Sequence, residues 1–533
     1  MRASITTWSI AFLAVLAAAT TLPGCNDAKQ HDAVDQVQMA QVPMVELIER
    51  QSVARKRLAG YTVQFQKESF AEFRKNIPVQ DVSTYATANV KLAGTTLMDL
   101  QTKLAAFYTT LPVSATVQVP IPQSTSVVSF DCVPSARQPA LRAVAGQALA
   151  LEAPPVDPDD HGHTVAPRAA PDIPSGASST PSADPKIYLL DSTQAACPAG
   201  TVAIRRNTLP EAATRAAIKQ WSLWDERAAV PGPHSPTVDR NAMRSALNVG
   251  GISAAQTSLS QHRYAHAAQA IANYGVAARL SVWSPRVLEG DMSLSQVWVI
   301  GGNPNDSSLQ TAEAGWQVYT YLWDPKYSAF FVYQTSDNYG SSGCYVTLCS
   351  GSTPSRPETF RITTNKIVIG KPIQPQSTVG GNAAVIEVKW VRHATTGSWW
   401  LKVDNEWIGY YPATVYAGGA LTVRSNYIDF GGEATGVTPT SEMGSGHYAQ
   451  EGNGYASFQS RLRYVDASGK YLDATVQPYQ TDNPCYTLSL NAPDAPETNP
   501  GAYFYFGGPG VHHFHPSPDS ANKEACTPPT GIH

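Results

Sequence analysis

Charge is scarce in this chain of 533 residues. Asp, Glu, Lys and Arg make up 15 % of it, against roughly a quarter in ordinary globular proteins. That excludes a disordered polyelectrolyte and a long solvated coiled coil. There is no basic excess either: 38 Lys and Arg against 42 Asp and Glu leave a formal net charge of −4, so nucleic acid is not the expected partner. Tryptophan is nearly missing from the first two fifths, where only Trp8 precedes position 220, so the large aromatic core belongs to the second half. The chain has no His-Glu-x-x-His and no Cys-x-x-Cys, which leaves no recognisable zinc site. Gly340 to Cys344 and Gly444-Ser445-Gly446 both miss the spacing of a nucleophile elbow. His512, His513 and His515 follow a Gly-Gly-Pro-Gly turn, and His161 and His163 lie in a proline-rich stretch; both groups read as solvated loops. No metal and no organic cofactor is expected.

Long apolar runs are confined to the start. Arg2, an apolar stretch from Ile10 to Leu22 and then Pro23-Gly24-Cys25 form a secretory signal over residues 1–25. Leu22 to Cys25 also resembles a bacterial lipobox, in which Cys25 would carry the lipid and attach the chain to a membrane. The expected location is therefore outside the cytoplasm, secreted or lipid-anchored in the cell envelope. Six cysteines remain, Cys132, Cys197, Cys344, Cys349, Cys485 and Cys526. An even number in an exported chain favours disulfides. Spacing alone suggests only the local pair Cys344–Cys349.

Residues 26–127 read as a partly helical region, with apolar stripes around Val45 to Leu58 and from Thr96 to Leu111. Pro112 to Phe130 alternates like a strand. Residues 153–185 are Pro, Ala, Ser and Asp with hardly a large apolar side chain, which reads as an exposed linker within a region 128–255. From about residue 260 to 533 the pattern changes to short alternating segments, among them Val276–Trp283, Leu294–Ile300, Gly315–Trp323, Trp399–Val403 and Leu421–Phe430. Asp404-Asn405 reads as a hairpin turn. Ten or more such strands, uninterrupted by helices, predict an antiparallel β-sandwich. The fold class is mainly β, with an α+β domain ahead of the sandwich.

Two carboxylates stand out. In Glu313-Ala314-Gly315-Trp316-Gln317, residues Glu313, Gly315 and Gln317 share one strand face. In Asp429-Phe430-Gly431-Gly432-Glu433, Gly431 shares the face of Glu433. A carboxyl pair beside glycines can divide hydrolysis between an ionised base and a protonated acid.

Several further motifs carry a family resemblance. Tyr274-Gly275-Val276-Ala277, Ser293 to Val299, Glu313 to Val318 and Gly343-Cys344-Tyr345 with Cys349 resemble neprosin, the glutamic prolyl endopeptidase family. So do Gly397 to Leu401, Ile408 to Pro412, Gly431-Gly432-Glu433, Met443 to Tyr448 with Glu451-Gly452, and Tyr503 to Gly510. Asp131 to Pro134, Gln138-Pro139-Ala140, Cys197 to Thr201 and Ile204-Arg205-Arg206 resemble that family's activation domain. The resemblance runs in order over residues 128–533. It implies a β-sandwich endopeptidase made as a zymogen, activated in acid and cutting proline-containing polypeptides on the carboxyl side of proline, with Glu313 and Glu433 catalytic. It also implies the pairs Cys344–Cys349, Cys485–Cys526 and Cys132–Cys197, the last inside the prodomain. Glu451 is the second candidate for the partner carboxylate. Trp316, Gln317, Trp399 and Tyr448 are candidates for substrate contact, since a prolyl ring suits aromatic walls.

The chain departs from the family pattern in residues 351–360 and 511–525 and at Trp323 to Tyr327, where a Tyr-Gly-Asp turn is usual. The opposing readings are a noncatalytic carbohydrate-binding sandwich and a cell-envelope structural protein. Between the prodomain and the sandwich lies Val230-Pro231-Gly232-Pro233-His234-Ser235-Pro236, an accessible breaker that an enzyme cutting after proline would find in itself.

Overall fold

The computed structural model describes residues 69–79, 97–122, 124–142, 150–160, 187–189, 195–209, 211–212, 261–287, 291–303, 308–319, 322, 327–339, 342–348, 358–436, 441–480, 484–510 and 526. The signal segment with Cys25, the helical stripe at 45–58, Cys349, the breaker at 230–236 and the three C-terminal histidines lie outside them.

Four strands lie before residue 261 among the described residues: β1 (Ala115–Pro120), β2 (Val127–Pro134), β3 (Ile187–Leu189) and β4 (Thr201–Arg205). β1, β2 and β4 form an antiparallel sheet in that order. The expected single strand from Pro112 to Phe130 is therefore a hairpin, and a boundary at 127 would cut it. Helices Phe70–Asn76 and Leu97–Thr110 pack on one face of this sheet, where Phe73, Leu104 and Tyr108 meet Val133, Val202 and Ile204. Ser69 caps the first helix in a reciprocal box with Glu72. The Arg206 guanidinium is buried against Asp131, 3.0 Å from Nε to Oδ2, and lies 4.7 Å from the Phe73 ring centroid. That pairing satisfies a buried charge.

Sixteen strands follow among the described residues. They are β5 (Gln261–Asn273), β6 (Gly275–Ser281), β7 (Met292–Gly301), β8 (Gln310–Tyr319), β9 (Ala329–Thr335), β10 (Cys344–Tyr345), β11 (Arg361–Ile362) and β12 (Ala383–Arg392). Then come β13 (Trp399–Val403), β14 (Glu406–Tyr411), β15 (Ser425–Gly436), β16 (Ser457–Val465), β17 (Tyr471–Asp473), β18 (Gln477–Gln480), β19 (Thr487–Leu490) and β20 (Phe504–Gly507). Seven make one sheet, ordered β10-β9-β8-β7-β15-β5-β18. The second runs β11-β14-β13-β12-β6-β16-β20-β19, with β17 beside β16 and β3 beside β12. Pairing is antiparallel throughout except at β3, which adds to β12 in parallel. The fold is the expected mainly antiparallel β-sandwich. Asp404 turns between β13 and β14 at φ +51°, the hairpin that Asp404-Asn405 predicts.

Alternation sorts each strand of the seven-stranded sheet into two faces. Val297, Val299, Ala312, Ala314, Trp316, Phe330 and Val332 point into the core shared with Leu280, Val388, Trp390 and Leu401 of the ten-stranded sheet. Leu294, Trp298, Ile300, Tyr319, Phe331 and Tyr333 point the other way, into a second cluster with Val119, Val128, Phe130, Cys132 and Ala203 of the small sheet. The three-stranded sheet thus lies over the outer face of the seven-stranded one.

Two further strand bounds differ from the sequence reading. β8 begins at Gln310 and ends at Tyr319 rather than running to Trp323, and a 3-10 turn at Ala420–Thr422 precedes β15. Residues 150–160, expected in part as exposed linker, dock on the ten-stranded sheet. Glu152 accepts from the Ser398 and Thr396 hydroxyls, Asp157 from Lys389 and Lys402, and Asp159 from Lys389 and Arg463. Charge, not apolar area, holds this strap.

Candidate active site

The site is a small lattice on the covered face of β8, β7, β15 and β5. Register sets its rows. Glu313 of β8 is level with Trp298 of β7, which is level with Asp429 of β15. The next row along is Gly315, Gln296, Gly431 and His266; the third is Gln317, Leu294, Glu433 and Tyr264. Residues directly opposite or two apart share a face, so Glu313, Gln317, Asp429 and Glu433 occupy the four corners around Gln296. Glu313 and Glu433 stand on one diagonal, two strands across and four residues along. On a flat sheet that is roughly 16 Å between Cα atoms, a span that two glutamate side chains can close around a peptide bond and a water.

All four corner side chains are buried. Glu313 Oε1 accepts hydrogen bonds from the Thr311 hydroxyl at 2.5 Å and the Tyr339 hydroxyl at 2.8 Å. Burial pushes the Glu313 carboxyl well above the ordinary range; the two hydroxyls pull against it, and the nearby Glu433 charge raises it further. Tyr339 reaches over the carboxyl from a loop in which Asn338 and Tyr339 both adopt φ above +50°. That costly backbone is held by Thr335, whose hydroxyl accepts from the Tyr339 amide, and strain of this kind concentrates at functional sites. Glu433 is paired differently. Its Oε1 faces His262 Nδ1 from the neighbouring β5. His266 Nδ1 bonds Asp429 Oδ1 at 3.2 Å, and its ring lies 4.5 Å from Trp298.

The glycines have a steric reason. A Cβ on Gly315 would fall 2.0 Å from the Ser295 carbonyl oxygen, and one on Gly431 would fall 2.7 Å from the His266 ring. Only glycine lets these strands and side chains crowd together on this face.

The other sequence candidates are distributed as follows. Gln317 is in the lattice. Trp316 points into the inter-sheet core with its indole bonded to the Ser281 carbonyl, and Trp399 lies in the same core bonded to that of Leu421. Neither reaches the face of Glu313: Trp316 sits at the opposite parity of β8, and Trp399 belongs to β13 of the ten-stranded sheet. Tyr448 is buried in the turn leading into Ala449–Glu451. Glu451 is half-buried and bonded to His447 at 2.7 Å; burial alone would raise its pKa, but the bonds from His447 and the Tyr448 amide bring it below the ordinary range. Cys132–Cys197 and Cys485–Cys526 are joined. His262, Gln296, Asp429 and Tyr339 were not singled out by the sequence. Among the described residues, no group of three His, Cys, Asp or Glu is arranged to hold a metal ion.

Fold and site together define a two-sheet β protein with a buried glutamate pair on one sheet face, under a separate small sheet. Residues 289–509 match the family model described as Neprosin, so this part of the chain is similar to that family. The match supports a peptidase. Among solved structures, scytalido-glutamic peptidase with a peptide-based transition-state analogue aligns at 11 % identity, covering 46 % of this chain and 97 % of its own, with a TM-score of 0.26. SCP-B, a member of the Eqolisin family of peptidases in complex with the tripeptide Ala-Ile-His, aligns at 10 % identity over 46 % and 97 % with a TM-score of 0.25. Values this low add nothing to the assignment.

Proposed function

We propose that the chain is the zymogen of an exported glutamic endopeptidase that hydrolyses peptide bonds on the carboxyl side of proline. The observation that carries this reading is the Glu313–Glu433 diagonal, buried on one sheet face inside the Neprosin-like part of the chain. Glu433, beside His262, is the base. It takes a proton from water as the water oxygen bonds to the scissile carbonyl carbon. Glu313, kept protonated by burial, hydrogen-bonds the oxygen that gains the carbonyl electron pair. When the C–N bond breaks, the leaving nitrogen receives a proton from the pair, which returns to one proton shared between two acids. Trp298 and Tyr264, level with the two glutamates, supply the aromatic walls for the prolyl ring.

The overlying sheet supports the zymogen reading: its Val119, Val128 and Phe130 pack in one cluster with Leu294 and Trp298 on the face that carries the two glutamates. The cysteine pairs favour an oxidising compartment, in keeping with export, whether secreted or anchored through Cys25. Self-cleavage at Pro231, Pro233 or Pro236 would free the sandwich. The test is incubation of the purified chain with a proline-rich polypeptide at acid and neutral pH, with mass spectrometry of the fragments. New C-termini at proline, formed faster in acid, are expected. Fragments without that bias overturn the specificity, and intact polypeptide after removal of residues 26–255 overturns the peptidase.

A further inference from the structure

The centre of the lattice belongs to Gln296, which no catalytic assignment has yet used. It lies at the midpoint of both diagonals, Glu313 to Glu433 and Gln317 to Asp429. Its neighbours in its own row are Gly315 and Gly431, so no side chain on β8 or β15 stands level with it. Gln296 is fully buried, yet neither Oε1 nor Nε2 has a hydrogen-bond partner among the described residues. Leaving a buried amide unpaired costs about 1–3 kcal/mol, and native proteins keep few such groups. A purely structural residue here would be apolar, as Leu294, Trp298 and Ile300 are on the same face of β7. Val119, Val128 and Phe130 of the overlying small sheet share an apolar cluster with Leu294 and Trp298, the residues on either side of Gln296 on this face of β7.

We infer that Gln296 is a catalytic residue whose amide N–H donates to the substrate carbonyl oxygen as it becomes an oxyanion between the two glutamates. This rests on the glutamic peptidase reading above and adds to it the group that receives the developing charge. The carbonyl electron pair moves onto oxygen as the water oxygen bonds to carbon; Gln296 transfers no proton and only donates a hydrogen bond. Its carbonyl oxygen is left to accept from a backbone N–H of the bound peptide, which pairs both ends of the amide. An amide suits this place because it stays neutral throughout the pH range in which the flanking acids exchange their proton, and a preorganised donor is worth most where water is excluded.

The test compares Gln296→Leu and Gln296→Glu with wild type and Glu433→Gln after removal of the prodomain, using a proline-containing peptide. Gln296→Leu should lower kcat about 10²–10³-fold with KM changed less than about threefold, and should leave the Tm of the intact chain unchanged or raised, because an unpaired buried amide is gone. Gln296→Glu, a donor only when protonated, should keep activity in acid and lose it more steeply than wild type as pH rises. Should Gln296→Leu fail to fold, this change of pH profile carries the test alone. A kcat for Gln296→Leu within twofold of wild type, with Glu433→Gln inactive, overturns the role of Gln296 and leaves the peptidase standing. Equal rates for wild type and Glu433→Gln overturn both.

Discussion

Two sets of acids, on opposite outer faces of the sandwich, are treated in opposite ways. On the seven-stranded sheet, Glu313 is buried with hydroxyl donors and another acid nearby, and its carboxyl is driven upward. On the ten-stranded sheet, Asp157 is just as buried, but Lys389 at 3.1 Å and Lys402 at 2.7 Å outweigh that burial and hold it below the ordinary range. Asp159, more exposed, is held down in the same sense by Arg463 and Lys389. Burial pushes both carboxyls upward; at Glu313 the hydroxyl donors do not overcome it, and at Asp157 the two ammonium groups do. The first arrangement favours a protonated carboxyl; the second fastens a strap.

The opposite shifts give opposite pH dependences. A depressed aspartate adds stability that is present above its unfolded pKa of about 3.9 and is lost as pH falls through the lower folded value. A raised glutamate does the reverse: its contribution is full below about 4.3 and is lost as pH rises. Glu358, pushed by burial up to about 7, belongs with Glu313 in this respect. Mild acid therefore favours the sandwich while leaving the strap in place, and the strap lets go only in stronger acid.

The largest structural effect is expected from the cover of the site. Phe130→Ala removes a fully buried ring between the small sheet and the lattice and should cost about 3–5 kcal/mol. It should be read as a lower unfolding midpoint and as earlier proteolytic release of the prodomain at neutral pH. Asp157→Asn should come next, weakening the strap by about 1–3 kcal/mol and increasing hydrogen exchange in residues 150–160 of the intact chain. Asp159→Asn should do the same by less than about 1 kcal/mol, since its exposed pairs are screened. An Asp159 effect as large as that of Asp157 would break the link between burial and strength. For activity, kcat/KM of the mature enzyme should be highest in acid and decline as pH rises through the raised Glu313 value; a flat profile from pH 3 to 8 would remove the shared proton from the mechanism.

Much of this comparison was legible in the chain, and unevenly so. Glu313 and Glu433 could be found because alternation around Gly315 and Gly431 fixes their faces, and parity is a local property. The same rule, applied to Trp316, already excludes it from the face of Glu313. His262 was hidden because β5, Gln261 to Asn273, is rich in alanine and carries no strand signature; it is a strand because β15 and β18 pair with it. The strap was hidden for a different reason. Its docking depends on Lys389, Lys402 and Arg463, more than two hundred residues downstream, and a Pro- and Asp-rich stretch gives no local sign of them. Tyr339 reaches Glu313 from a loop whose backbone no propensity would suggest.

The central claim is that the two diagonal glutamates perform the hydrolysis. It is met most directly by measuring kcat for Glu313→Gln and Glu433→Gln, each freed of its prodomain, on one proline-containing peptide in acid. The account predicts that each falls about 10²–10⁴-fold while the unfolding midpoint stays within a few degrees of wild type. Turnover within a few-fold of wild type in either variant would contradict it.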